Sequence, residues 1–209
     1  MILRARQNTW RIEHAARAAL LVDAGQYFGA VRRALIGARR TAFILGWDID
    51  SRMRLVGESG SADDGLPEEL GPFLSELVRR RPTLNIYILM WDYSVLYALE
   101  REFFPSISLR WRTPRRIRFC LDDDLPVGAS HHQKIVVVDD AIAFCGGLDL
   151  TTRRWDTREH RLDNPHRVDP ANASYAPFHD LIYERRTGLT RDERQRRPQR
   201  RIRSPWSHV

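Results

Sequence analysis

The run His132-Gln133-Lys134 places an imidazole and an ammonium two residues apart where an apolar segment, Ile135 to Val138, begins. Side chains alternate between faces along an extended strand, so His132 and Lys134 point the same way and can grip one anion together. The imidazole offers a nucleophilic nitrogen near neutral pH, and the ammonium a compact positive charge. Of the 34 basic residues, Lys134 is the only lysine. By the same alternation Asp139 falls on the opposite face, where a supporting or turn-stabilising role suits it better than contact with a ligand. Gly146-Gly147 end the next apolar run, and the absence of two side chains there would let an anion come close to backbone N–H groups. Asp149 follows at the rim. A metal held by His131, His132 and Asp139 is disfavoured, because adjacent side chains on a strand diverge.

These positions, His132-x-Lys134-x4-Asp139-x6-Gly146-Gly147-x-Asp149, resemble the HKD signature of the phospholipase D superfamily, with the Gly-Gly-x-Asp ending typical of a first copy. The neighbourhood resembles the bacterial-type phospholipases D of that superfamily: Gly46-Trp47-Asp48-Ile49-Asp50, Trp91-Asp92, Ser130-His131-His132 and Arg154-Trp155-Asp156. The resemblance runs from about Trp10 to Asp180. It implies that the His132 imidazole attacks phosphorus to give a phosphohistidine, which water or an alcohol resolves, while Lys134 neutralises the phosphate oxygens. It requires no metal or other cofactor. A third group should orient His132. Asp180, in Tyr175-Ala176-Pro177-Phe178-His179-Asp180, resembles the family's downstream His-Asp element and is the candidate, with Asp139 the alternative. Gly146, Gly147, Asp149 and Arg154 are expected to bind substrate, although Arg154 and Asp156 could simply pair with each other. Trp47, Trp91 and Trp155 read as packing residues, and His131 as support for the strand end.

The elements that must position these residues follow from periodicity. Asp23 is placed to cap a helix whose apolar positions Phe28, Val31, Leu35 and Ala38 share one face, and Thr41 to Trp47 then reads as a buried strand. Gly57 to Gly65 reads as a loop before a second amphipathic helix through Leu70, Phe73, Leu74, Leu77 and Val78. Leu84 to Trp91 is a strand, Tyr93 to Phe103 is helical in pattern, Ile117 to Leu121 is a short strand, and 122–130 is an acidic loop. Lys134 to Val138 and Ala141 to Cys145 form a hairpin about Asp139-Asp140. The order predicts an α/β layered domain over residues 1–180, its mixed, mostly parallel sheet flanked by helices.

The 209 residues are 43% hydrophobic, enough for a sizeable core. The net charge of +7 is concentrated at the end: residues 184–209 carry nine Arg against three acidic residues, so the body is nearly neutral. Residues 181–209 read as an Arg-rich tail without periodicity, disordered or non-native. Cys120 and Cys145 lie in apolar runs and are expected to be buried thiols of a reducing compartment. No signal peptide or membrane span is visible, which points to the cytoplasm or the inner membrane surface.

In this superfamily two H-x-K copies face each other, one histidine attacking and the other protonating the leaving oxygen. With a single lysine, no second H-x-K can exist here. Three readings follow: a truncated phospholipase D half acting on a phospholipid or other phosphodiester but inactive without its missing second half; an active phosphodiesterase or nuclease that completes its site across a homodimer; and a non-catalytic protein binding phosphate, or an anionic lipid or nucleic acid through its basic tail.

Overall fold

The structure is a computed structural model that describes residues 2–91, 114–122, 131–161 and 164–167. Helix α1 (Asp23–Gly37) leads into strand β1 (Thr41–Gly46), and α2 (Leu70–Arg80) leads into β2 (Asn85–Trp91). Strands β3 (Ile117–Asp122), β4 (Ile135–Val138) and β5 (Ile142–Cys145) complete a five-stranded sheet in the order β3-β2-β1-β4-β5. β1, β2 and β3 pair in parallel, whereas β4 joins β1 and β5 joins β4 antiparallel. The sheet is mixed as expected. Its antiparallel share is larger than one hairpin, because the hairpin itself docks antiparallel to β1. The expected helix at 93–103, most of the 122–130 loop, Asp180 and the 181–209 tail lie outside the described residues.

Period-two alternation builds the core. Ala42, Ile44, Ile86, Ile88, Ile117, Val136 and Val138 are buried on one face of the sheet. Phe28, Val31 and Leu35 of α1, and Leu70, Phe73, Leu74 and Leu77 of α2, join them in one cluster. Each valine, leucine, isoleucine or phenylalanine among them taken from water stabilises the fold by roughly 1.5–3 kcal/mol. On the other face Phe43 and Tyr87 stack with centroids 4.9 Å apart, and the Arg118 guanidinium lies over the Tyr87 ring.

Local chemistry differs from expectation at Asp23 and at the two cysteines, and Arg32 adds a buried contact. Asp23 makes no side-chain cap. It is the first residue of α1 with φ of 65°, while Gln26 Oε1 accepts the Val22 N–H and the Asp156 carbonyl accepts the Gly25 N–H. Cys120 and Cys145 are exposed rather than buried, because β3 and β5 are the two edge strands and both thiols alternate away from the helix-covered face. Arg32, on α1, is buried, and its guanidinium holds the 55–67 segment through Asp64 and the carbonyls of Leu55, Leu66 and Pro67. Among the described residues no helix is long and apolar enough to cross a membrane.

Candidate active site

The Asp139-Asp140 turn fixes where the two motif residues stand. Both aspartates have positive φ, 52° and 54°, as a tight turn matching the twist of a hairpin requires. With β4 antiparallel to β1, Ile135 sits opposite Leu45, so His132, Gln133 and Lys134 overhang the carboxyl end of β1. The carboxyl ends of parallel strands are where open α/β sheets hold ligands.

Lys134 continues the alternation of Val136 and Val138 and is therefore buried. Its Nζ lies 3.0 Å from Asp149 Oδ2, and both side chains are only 5% exposed. The approach is off the hydrogen-bond direction, so this is a charge pair, and among the described residues the ammonium has no aligned acceptor. Asp149 is held from its other oxygen: Oδ1 accepts the N–H of Trp47 at 2.9 Å and of Asp48 at 3.3 Å. Asp149 therefore does not stand at the rim as its position in the sequence suggested. The chain turns inward after Gly147 and makes Asp149 the counter-ion of Lys134. Behind the pair, burial pushes the Tyr27 phenol up to about 12, with the nearby Asp149 and Cys145 charges adding to the effect.

His132 is exposed, and its ring centroid lies 6.1 Å from that of Trp47. Lys134 Nζ lies 5.9 Å from the same ring, so Trp47 is the surface that the two motif residues share. Trp47 in turn stacks on Trp91 at 5.9 Å. His131 reaches across the carboxyl ends of the strands: its Nε2 lies 2.7 Å from Asp122 Oδ2 at the end of β3, three strands away from β4.

The remaining expected residues are dispersed. Asp139 is at the far end of β4, where its carboxylate accepts the N–H groups of Arg39, Arg40 and Thr41 at 2.7–2.8 Å. Burial raises its pKa, but those three donors lower it further, leaving it below the usual carboxylate value. It is not beside His132. Gly146 and Gly147 are exposed, with open space where a Cβ would stand. The Gly146 N–H already donates to the Lys134 carbonyl at 3.2 Å. Arg154 is exposed and unpaired with Asp156, which Arg167 and His160 engage instead. Trp155 is buried and donates from Nε1 to the Gly57 carbonyl, a packing role. A small pocket beside Trp155, lined also by Phe28, Met53, Thr151 and His166, contains none of the motif residues.

Two contributors had no role assigned to them from the sequence. A Cβ on Gly46 would stand 3.0 Å from Asp149 Oδ1 and 3.0 Å from Ile49, so a side chain there would press on the buried carboxylate. Thr151 donates to Asp48 Oδ2 at 2.7 Å and ties the segment after Asp149 to the end of β1. Glycine before a tryptophan at a strand end was the visible signal for the first.

Residues 34–180 match the family described as Phospholipase D. Phospholipase D zeta 1 of Arabidopsis thaliana is 28% identical over 207 residues, covering 94% of this chain and 18% of that protein. Phospholipase D C of Dictyostelium discoideum is 30% identical over 160 residues, 74% of this chain and 9% of that protein. Phospholipase D1 of Rattus norvegicus is 54% identical over 147 residues, 68% of this chain and 13% of that protein. The chain thus spans less than a fifth of the length of each of these relatives. Among solved structures, NucT from Helicobacter pylori aligns with a TM-score of 0.41 and 16% identity, over 60% of this chain and 67% of that one. With the family match covering most of its length, the chain belongs to the phospholipase D family.

Proposed function

We propose that this chain is one catalytic half of a phospholipase D-type phosphodiesterase, in which the His132 imidazole attacks phosphorus and Lys134 neutralises the phosphate oxygens. The observation that carries this reading is the convergence of an exposed His132 and a buried, ion-paired Lys134 on the Trp47 ring. The imidazole nitrogen forms a bond to phosphorus and the ester oxygen leaves, giving a phosphohistidine that water or an alcohol resolves. For contact with phosphate, the Lys134 ammonium turns from Asp149 toward Trp47. Asp180 is proposed to orient His132 through its other ring nitrogen. Gly146 and Gly147 leave the approach open, and Arg154 supplies a peripheral positive charge.

Departure of an alkoxide needs a proton, and general acid catalysis of this kind is worth roughly 10²–10⁴-fold. A second H-x-K half must bring that proton, since this chain has one lysine. The chain by itself is therefore expected to be essentially inactive on phosphatidylcholine and on nucleic acid. The test is hydrolysis of a soluble activated phosphodiester, whose leaving group needs no acid, with detection of a phosphorylated histidine by mass spectrometry. Label on His132, lost in His132→Ala and Asp180→Asn and unaffected by chelator, is the expected result. Chelator inhibition reversed by a divalent ion would overturn it. Multi-turnover hydrolysis of an unactivated diester by a defined dimer would replace the separate second half with a second copy of this chain.

A further inference from the structure

We propose that the pocket beside Trp155 is a second anion site, taking a small oxyanion such as sulfate or phosphate against Arg153 and Arg167. It shares no residue with His132 and Lys134 and does not depend on how those two act. Three arginines, Arg54, Arg153 and Arg167, line the pocket together with His166, and no carboxylate does. Two of those charges are already answered. Glu68 Oε2 accepts from Arg54 Nε at 2.8 Å, and Asp156 Oδ1 accepts from Arg167 Nη2 at 3.0 Å. Arg153 has no counter-ion among the described residues. Three guanidinium charges less two carboxylates leave one positive charge, before His166 is counted.

Two local features point to a ligand. Arg167 Nε is buried and has no hydrogen-bond partner among the described residues. A buried donor left unpaired costs free energy that a bound acceptor returns, most of all a charged one. Arg153 stands in a turn with φ of 63°, a conformation that glycine adopts freely and that strains a residue with a Cβ. From that turn its side chain lines the pocket. The space is about 20 Å³, room for one water-sized group, so one oxygen of the anion enters while the others stay at the mouth. A water could answer Arg167 Nε, but it would leave the Arg153 charge unmatched. An oxyanion answers both. Thr151 lines the same pocket and donates to Asp48 Oδ2 at 2.7 Å, so the pocket abuts the segment that carries Asp149 and must be read by signals of its own.

The full-length chain should be titrated at constant ionic strength with sulfate, which stays doubly charged across the neutral range. The readouts are the NMR signals of the His166 imidazole and the Trp155 indole N–H, whose ring centroids lie 5.7 Å apart. A saturable shift is expected, weakened about tenfold in Arg153→Gln. It should be retained in Arg158→Gln, which removes an exposed charge that does not line the pocket, and in His132→Ala. Arg153→Gly relieves the strained φ, so weaker sulfate binding in that variant cannot come from a damaged turn. Absence of a saturable shift in the native chain would overturn the proposal, as would equal affinity in Arg153→Gln or an equal loss in Arg158→Gln. A loss in His132→Ala matching that in Arg153→Gln would put the anion at the motif instead, and would overturn it too. Inorganic phosphate should compete with sulfate. Much stronger competition by a short-chain phosphatidic acid would make a lipid headgroup the source of the anion, equal competition would make it free phosphate, and either result keeps the site.

Discussion

Asp139 and Thr41 exchange two hydrogen bonds: the Asp139 N–H donates to the Thr41 carbonyl at 2.9 Å, and the Thr41 N–H donates to Asp139 Oδ1 at 2.8 Å. Together with the Arg39 and Arg40 amides bound to the same carboxylate, they make Asp139 the cap on the amino end of β1. The four residues between Lys134 and Asp139 are then the length of β4: the candidate site is at one end of the strand and its structural anchor at the other.

Asp139→Ala should accordingly cost about 1–2 kcal/mol of stability, as expected for stranded backbone donors. Because the folded-state pKa of Asp139 is depressed, its contribution is present above the unfolded carboxylate pKa of about 3.9 and is lost as pH falls through the folded value. Urea unfolding of the native chain and the variant should differ by a constant amount near neutrality and converge in acid. A difference that persists undiminished at acid pH would mean that the carboxylate charge is not what matters.

Gly46→Ala inserts a methyl where the Asp149 carboxylate and Ile49 already stand at 3.0 Å. Overpacking of this kind costs about 1–3 kcal/mol. The same methyl pushes Asp149 from its amides, so loss of the Lys134 geometry should accompany loss of stability. Weakened dimethyl phosphate binding, in a variant still folded, is the expected outcome. Unaltered binding would show that Asp149 tolerates displacement.

Lys134→Met leaves Asp149 charged and buried without its partner, and breaking a buried pair in this way costs about 3–5 kcal/mol. Adding Asp149→Leu should recover part of that loss, and denaturant unfolding of the two single variants and the double variant measures the coupling. Lys134→Arg keeps the charge but brings a broad planar group into a site filled by a compact one, and should abolish His132 labelling. Near-normal labelling by Lys134→Arg would remove Lys134 from the chemistry.

The alternation of Val136 and Val138 with Lys134 was enough to place β4, its turn and the burial of Lys134, because each is set locally by period and turn chemistry. What escaped a sequence reading depends on which strands neighbour one another. Asp149 reads as a rim residue from its place after Gly147, yet it turns inward to amides 101 and 102 residues away in the chain. Nothing in the spacing singles out Arg32 on α1, yet it holds a segment more than 20 residues further on. Cys120 and Cys145 read as core thiols from apolar surroundings that do not tell an edge strand from a central one.

Those cysteines yield the last prediction. The pairings Cys120 with Leu89, Leu89 with Leu45, Leu45 with Ile135, and Ile135 with Cys145 place both thiols in one row on one face of the sheet, at its opposite edges. Four strand spacings of about 4.8 Å put them roughly 19 Å apart, whereas a disulfide needs Cα atoms within about 7 Å. Both are exposed, so a maleimide should label two thiols in the native chain before any denaturant is added. Oxidation should give cross-linked dimers and never an internal bridge. Intact mass distinguishes these, and a monomer lighter by two hydrogens, or protection of either thiol, would contradict the register. The outcome matters for function: Cys145 adjoins Gly146 beside the proposed site, so an oxidised dimer would bring two His132 residues into one particle by accident. Any dimer credited with completing the active site must therefore persist in reductant and in Cys145→Ser.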